Sequence, residues 1–178
     1  RDDQIKFCVP NGMPWIMLGR ARYYVTDIYQ TDERITVIVE FMDARRIIHF
    51  GQQEPPETFV PSSTGYSVAR WEGQELVIET TRLRARSEVG VRQRSDQARI
   101  LERWRLIDHP KYGRALEIEM TIDDPVIYRR PARGRQLFIP APEGSTLNWY
   151  GCTETLWDDY IRKREEQIAA SRPNGSNS

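Results

Sequence analysis

The sequence predicts an all-β fold: an antiparallel barrel or sandwich of eight to nine short strands, with one helix at its C-terminal end. Three observations carry that expectation. Short segments rich in β-branched and aromatic residues recur along the chain, each separated from the next by a turn signal. The run from Gly65 to Thr81 reads as a hairpin, its arms 66–71 and 75–82 folded back around Glu72-Gly73, where a tight turn needs positive φ. The stretch Leu116-Glu-Ile-Glu-Met-Thr-Ile-Asp123 alternates cleanly, so Leu116, Ile118, Met120 and Ile122 share one face and the acids the other.

The elements follow in order. Residues 1–21 are an irregular lead-in, because Pro10, Gly12, Pro14 and Gly19 stand too close together for a regular element. Strands are expected at 22–29, 34–42 and 45–50, with Gln30-Thr-Asp-Glu33 and Asp43-Ala44 as the turns. Residues 51–64 hold three prolines and read as a long loop; 84–97 is a second. Loops of that length often serve as lids or binding loops. Beyond the hairpin, strands resume at 98–107 and 114–122 around the turn Asp108-His-Pro-Lys-Tyr-Gly113. Asp124-Pro125 breaks the ladder, and 126–130 and 136–139 are two further short strands. The helix spans 155–170, where Thr155 and Asp158 form a capping pair. Trp157, Ile161, Arg164 and Ile168 align on one of its faces, which suits packing outside the sheet. The tail 172–178 has the composition of a disordered segment. Closing such strands into an up-and-down barrel removes exposed edges and leaves an interior filled by side chains or shared with one small ligand.

Bulk properties narrow the function. A chain of 178 residues suits one domain with a sizeable core. Its 26 basic and 26 acidic side chains cancel, so there is no overall field to hold nucleic acid or an anionic membrane. Mean hydropathy is −0.66 and no apolar run approaches the length of a membrane span. The chain starts at Arg1 rather than Met, which a removed secretory signal would explain. Cys8 and Cys152 flank nearly the whole β region, in Pro- and Gly-bearing segments that would otherwise fray. That setting favours a disulfide over two buried thiols, worth up to about 5 kcal/mol for so long a loop. A disulfide implies an oxidising compartment: the periplasm or the cell exterior.

The candidate chemistry lies within the strands. Glu40, Glu79, Glu102 and Arg103 interrupt segments otherwise apolar enough to be core. On an antiparallel sheet such residues commonly face solvent, but any that point inward must pair or shift their pKa, and such groups do acid–base work. Alternation puts Glu102 and Trp104 on one face and Leu101, Arg103 and Arg105 on the other. His49 ends Arg45-Arg-Ile-Ile-His-Phe50 where it can reach a barrel mouth, and it titrates near neutral pH. A hydrogen-bonded structural imidazole is the competing account. His109, beside Pro110, is a turn residue. The reading is therefore Glu102 and His49 as a proton-transfer pair, Arg103 as an anion stabiliser, and Tyr24, Tyr66, Trp71, Trp104 and Tyr128 as ligand-binding rings. Gly65-Tyr-Ser67-Val-Ala69 loosely matches a nucleophile elbow, but Ser67 falls within a strand rather than on the required strand-to-helix turn. Two histidines and two distant cysteines supply no zinc set, so no metal or other cofactor is expected. The adjacent Asp123-Asp124 suits a turn cap before Pro125 better than a calcium site. Arginines in 82–94 would suit an anionic group, yet Glu88 and Asp96 interleave with them and no aromatic-basic strand speaks for RNA.

Several of these pieces resemble a family of uncharacterised, mostly secreted bacterial proteins. They are Cys8-Val-Pro-Asn-Gly-Met-Pro14, Arg45-Arg-Ile-Ile48, Gly65-Tyr-Ser-Val-Ala-Arg-Trp-Glu-Gly73, Leu76-Val-Ile-Glu-Thr-Thr81, Glu102-Arg103 and Asp124-Pro125. Ala69 and Gln74 depart from that pattern, which has Gly and Asp more often. The resemblance implies secretion and a lipocalin-like barrel, and it carries no reaction with it. The functional expectation is a cofactor-free lyase, isomerase, hydratase or cyclase acting on a hydrophobic small molecule inside the barrel. The alternatives are a non-catalytic periplasmic carrier of a lipophilic molecule, and an assembly module with a filled barrel; the oligomeric state, a homo-oligomer included, is left open.

Overall fold

The computed structural model describes residues 11–18, 24–51, 54–86, 93–151 and 155–171. Eight strands form one sheet in sequence order: β1 (Thr26–Gln30), β2 (Arg34–Val39), β3 (Ala44–Phe50), β4 (Tyr66–Glu72), β5 (Glu75–Thr81), β6 (Arg99–His109), β7 (Gly113–Asp123) and β8 (Ala132–Phe138). The sheet curls into a half-barrel of lipocalin-like character, and no ladder joins β1 to β8 among the described residues. A C-terminal helix, α1 (Thr155–Ser171), completes the expected all-β-plus-helix inventory. The strands belong to a unit spanning Asn11–Tyr150, and α1 belongs to a second one. Within α1, Arg162 pairs with Asp159 at 2.9 Å and Glu166 at 3.4 Å, and Ile168 is exposed. Cys8, Cys152 and the tail 172–178 lie outside the described residues.

Register follows from turn chemistry. Gly73, at φ 64°, opens the two-residue connection that pairs Glu72 with Glu75 and so sets Ser67 opposite Thr80. Gly113, at φ 69°, closes the β6–β7 turn. The alternation in β7 places Leu116, Ile118, Met120 and Ile122 on one face, as the sequence predicts. Following these pairs strand by strand gives the concave face: Val37, Ile48, Ile78, Ile100, Ile118 and Met120 all lie on it and are buried.

The structure differs from the sequence-based expectation in three places. β3 and β4 run parallel, with Ile48 beside Ser67, because the long 51–65 connection crosses back before β4 starts. Residues 126–130 are a turn rather than a strand. The Asp124 carboxylate accepts from the backbone of Val126 at 3.2 Å and Ile127 at 3.3 Å, which withdraws those N–H groups from any ladder. The last strand is instead a single element at 132–138. Among the described residues the first strand is Thr26–Gln30, residues 22 and 23 of the expected one lying outside them, and the second stops at Val39 before a tight turn in which Met42 and Asp43 both adopt positive φ.

Residues 11–18, the described part of the lead-in, pack at one end of the half-barrel. Met13 donates its N–H to Ser63 O at 3.0 Å just before β4. Arg94, just before β6, donates to the carbonyls of Asn11, Met13 and Arg84. Met13, Ile16 and Met17 are fully buried as a result. Leu18 reaches the concave face of β8, where its Cδ1 lies 2.7 Å from the position a Cβ on Gly134 would take.

Candidate functional site

Midway along the apolar concave face sit four polar side chains on four different strands. Arg46 (β3) is 1% exposed, Ser67 (β4) and Thr80 (β5) are 0% exposed, and Glu102 (β6) is 0% exposed. Arg46 Nε donates to Ser67 Oγ at 3.1 Å, and its Nη2 donates to Thr80 Oγ1 at 2.9 Å and to Glu102 Oε2. Ser67 and Thr80 also share a hydrogen bond at 2.9 Å. One guanidinium therefore gathers three neighbouring strands around a buried ion pair.

The network is incomplete. Arg46 Nη1 and Glu102 Oε1 are buried with no hydrogen-bond partner, and so is the indole Nε1 of Trp104, two residues further along the same face of β6. Such orphaned atoms each cost on the order of 1–3 kcal/mol, so three together need an explanation.

The two ends of the concave face differ. Residues 11–18 lie at the end where β4 and β6 begin. At the opposite end, beside the β4–β5 and β6–β7 hairpins, Trp71 is 55% exposed and Leu106 61% exposed although both belong to the concave register. Those two apolar side chains mark an open rim.

The structure places the remaining sequence-predicted site residues elsewhere. His49 does not face Glu102: it lies on the convex side, its ring stacked on Tyr66 at 4.8 Å. Burial, with a smaller contribution from Arg34, holds its imidazole below the usual value. Arg103 is also convex, because it neighbours Glu102 in a strand. It is bound to Glu75 at 2.9 Å and Glu72 at 3.2 Å, and these carboxylates raise its pKa. Tyr24 packs against Phe41 and Tyr150, with ring centroids 5.0 and 5.9 Å away. Tyr128 donates to Gln93 O at 3.4 Å, and its hydroxyl pKa is raised by burial and then by Asp124. Glu40 accepts from the Asn148 backbone, and Glu79 faces Arg99 on the convex side. Of the predicted set, Glu102, Trp104 and Trp71 share the concave face; the proton-transfer pair is not assembled.

One arginine of the second long loop is spent differently from the expectation of an anion site. Arg94 serves backbone carbonyls, and its pKa is lowered to about 10 by burial, with Arg86 and Arg84 adding to the effect. A groove of about 990 Å³ lies on the convex side over β4 and β5, lined in part by Tyr66, Arg70, Glu79, Arg82 and Asp96. Its mixed charges favour no single ligand class. Among the described residues no group of three or more His, Cys, Asp or Glu side chains is arranged to hold a metal ion, and no helix is long and apolar enough to cross a membrane. The chain matches no protein-family model, no curated protein and no solved structure.

Proposed function

We propose that the half-barrel binds a small lipophilic molecule against its concave face, reached from the hairpin end past Trp71 and Leu106. Arg46, Glu102 and Trp104 are the polar anchor. The observation that carries the reading is the trio of orphaned atoms on those three residues, buried in a face that is otherwise apolar. Carriage is favoured over catalysis because proton transfer needs a donor and an acceptor within reach of one substrate. His49, the titrating partner expected from the sequence, is on the other side of the sheet. A second reading keeps the chemistry and assigns it to Glu102 alone, whose Oε1 is without a hydrogen-bond partner.

Titration with N-phenyl-1-naphthylamine, an apolar dye that brightens when buried, tests the proposal. Saturable one-to-one binding is expected, and Leu106→Asp, which puts a charge on the rim, should abolish it. No binding, or binding indifferent to Leu106→Asp and Trp71→Ala, would remove the concave face as the site. Mass analysis of a co-purifying molecule before and after incubation separates carriage from catalysis, since turnover leaves a product.

A further inference from the structure

The chain that follows β8 crosses the open side of the half-barrel. β8 ends at Phe138, opposite Leu116. The chain is next fixed at the β2–β3 turn, where Asn148 donates its backbone N–H to Glu40 at 3.3 Å and Tyr150 donates to Asp43 at 3.0 Å. Its route follows from its length. Ile35 of β2 is level with Ala132 of β8 along the hydrogen-bonded row that runs through Ser67 and Ile100. Phe138 lies beyond that row in one direction and Val39 in the other, so a path between them over the convex face covers roughly 44 Å. Residues 138–148 span no more than about 32 Å, because Ser145 donates to Pro142 O in a tight turn with Gly144 at φ 79°. The back route falls short even when the reach of the Glu40 side chain is added. Side chains 139–146 are exposed, so the chain does not thread the concave face either. It passes over the seam between the edge strands β1 and β8.

This strap is loosely held along its length and latched at its far end. Among the described residues, 140–147 make no hydrogen bond to the sheet, and only Leu147 is half-buried. A segment without a ladder or buried contacts opens far more easily than the strands beside it. At the latch, the Tyr150 ring adds edge-on contacts to Phe41 at 5.3 Å and Tyr24 at 5.9 Å. Met42 and Asp43 hold left-handed φ of 60° and 48°. Asp visits that region readily and Met does not, so the turn carries strain while presenting the Asp43 carboxylate to Tyr150. Strain of this kind collects at ligand clamps and switch regions. Resting on the binding reading above, we infer that residues 139–150 are a side gate. The strap leaves its latch on the β2–β3 turn to admit the lipophilic molecule between β1 and β8, and closes again once the molecule lies on the concave face.

Stopped-flow mixing with N-phenyl-1-naphthylamine reads the gate as a pair of rates. Asp43→Gly removes one latch carboxylate and keeps a residue that accepts positive φ; Glu40→Ala removes the other. In the protein carrying both changes, association and dissociation should each be faster by about fivefold, the worth of one hydrogen bond, with Kd unchanged. Kd holds because the latch is closed both before and after binding, so its loss lowers the barrier in both directions alike. Parental rates alongside intact dye binding would overturn the gate and leave the site standing. If the dye does not bind the parent at all, the site falls and the gate with it. Native-state hydrogen exchange on the parent gives a measurement free of any substitution. The Asn148 and Tyr150 amides should exchange at least about 100-fold faster than the ladder amides of β7, and equal protection would show that the strap opens only when the whole sheet does, which also overturns the gate.

Discussion

Replacing Arg46 by methionine tests the polar centre directly. The substitution keeps a long, flexible apolar stem and deletes the guanidinium, which is 1% exposed. Two hydrogen bonds to hydroxyls are lost, at 3.1 and 2.9 Å, together with the ion pair to Glu102. Ser67 and Thr80 still satisfy one another at 2.9 Å, so the hydroxyls contribute little to the damage. Glu102 is the problem: its carboxylate remains fully buried with no countercharge. Breaking a buried pair in this way typically costs about 3–5 kcal/mol, which for a unit of this size lowers the melting temperature by roughly 6–20 °C. Removing both charges should be much gentler. In Arg46→Met/Glu102→Leu no buried charge is left over, and apolar replacement of a whole pair is often neutral or stabilising, so about 2 kcal/mol or more of the loss should return. Urea unfolding followed by circular dichroism and tryptophan fluorescence measures all three proteins, with an unchanged slope as the check that the same transition is compared. The reasoning fails if Arg46→Met lies within about 1 kcal/mol of the parent, or if the double variant is as damaged as the single one.

Two further outcomes follow from local geometry. At Gly65, φ is 69° and an added Cβ would meet Thr81 O at 2.5 Å, whereas at Gly73, φ is 64° and nothing lies within 4 Å. Gly65→Ala should therefore destabilise by roughly 2–4 kcal/mol and Gly73→Ala by only about 1 kcal/mol, and equal losses in thermal unfolding would refute the distinction. His49 is depressed by burial and Arg34, so the unfolded chain binds its proton first and stability falls as pH drops through about 6.5 toward the lower folded value. His49→Asn should flatten that part of the stability–pH curve, and an unchanged curve between pH 7 and 5 would count against the assignment.

Much of the sheet was legible because period-two alternation and turn glycines act locally. The β6–β7 pair could be read from Leu116 to Ile122, and the β4–β5 pair from Glu72-Gly73. The parallel β3–β4 neighbour was not, because a long connection with three prolines carries no periodicity that says where it returns. β8 was misplaced because Arg133, Gly134 and Arg135 give a weak strand signal, while the side-chain bonds that turn 126–128 away from the ladder depend on Asp124 geometry. Glu102 stood out as an acid among apolar residues, yet its partner Arg46 was missed. A signal existed. Arg45 and Arg46 are adjacent in a strand, so one of them must face inward, and the hairpin register already set Ser67 opposite Thr80. The roles given to His49 and Arg103 required a view across the sheet that alternation alone does not supply for separate strands.

Stability alone gives a poor reason for charge at the centre of this fold. The concave face is otherwise built from Val37, Ile48, Ile78, Ile118 and Met120, which need no polar neighbour to pack. A methionine and a leucine would fill the same volume without desolvating two charges, and without stranding Arg46 Nη1 and Glu102 Oε1. The position of the network points to use. It lies between an end shut by Met13, Ile16 and Met17 and an end where Trp71 and Leu106 remain open to solvent. A polar centre at that depth orients a ligand whose apolar tail extends toward the rim, and the same centre in a permanently filled core would have nothing to orient. The Arg46→Met/Glu102→Leu protein separates the two roles. If it folds with near-parental stability but no longer binds N-phenyl-1-naphthylamine, the ion pair serves recognition; if binding survives, the anchor lies elsewhere on the face.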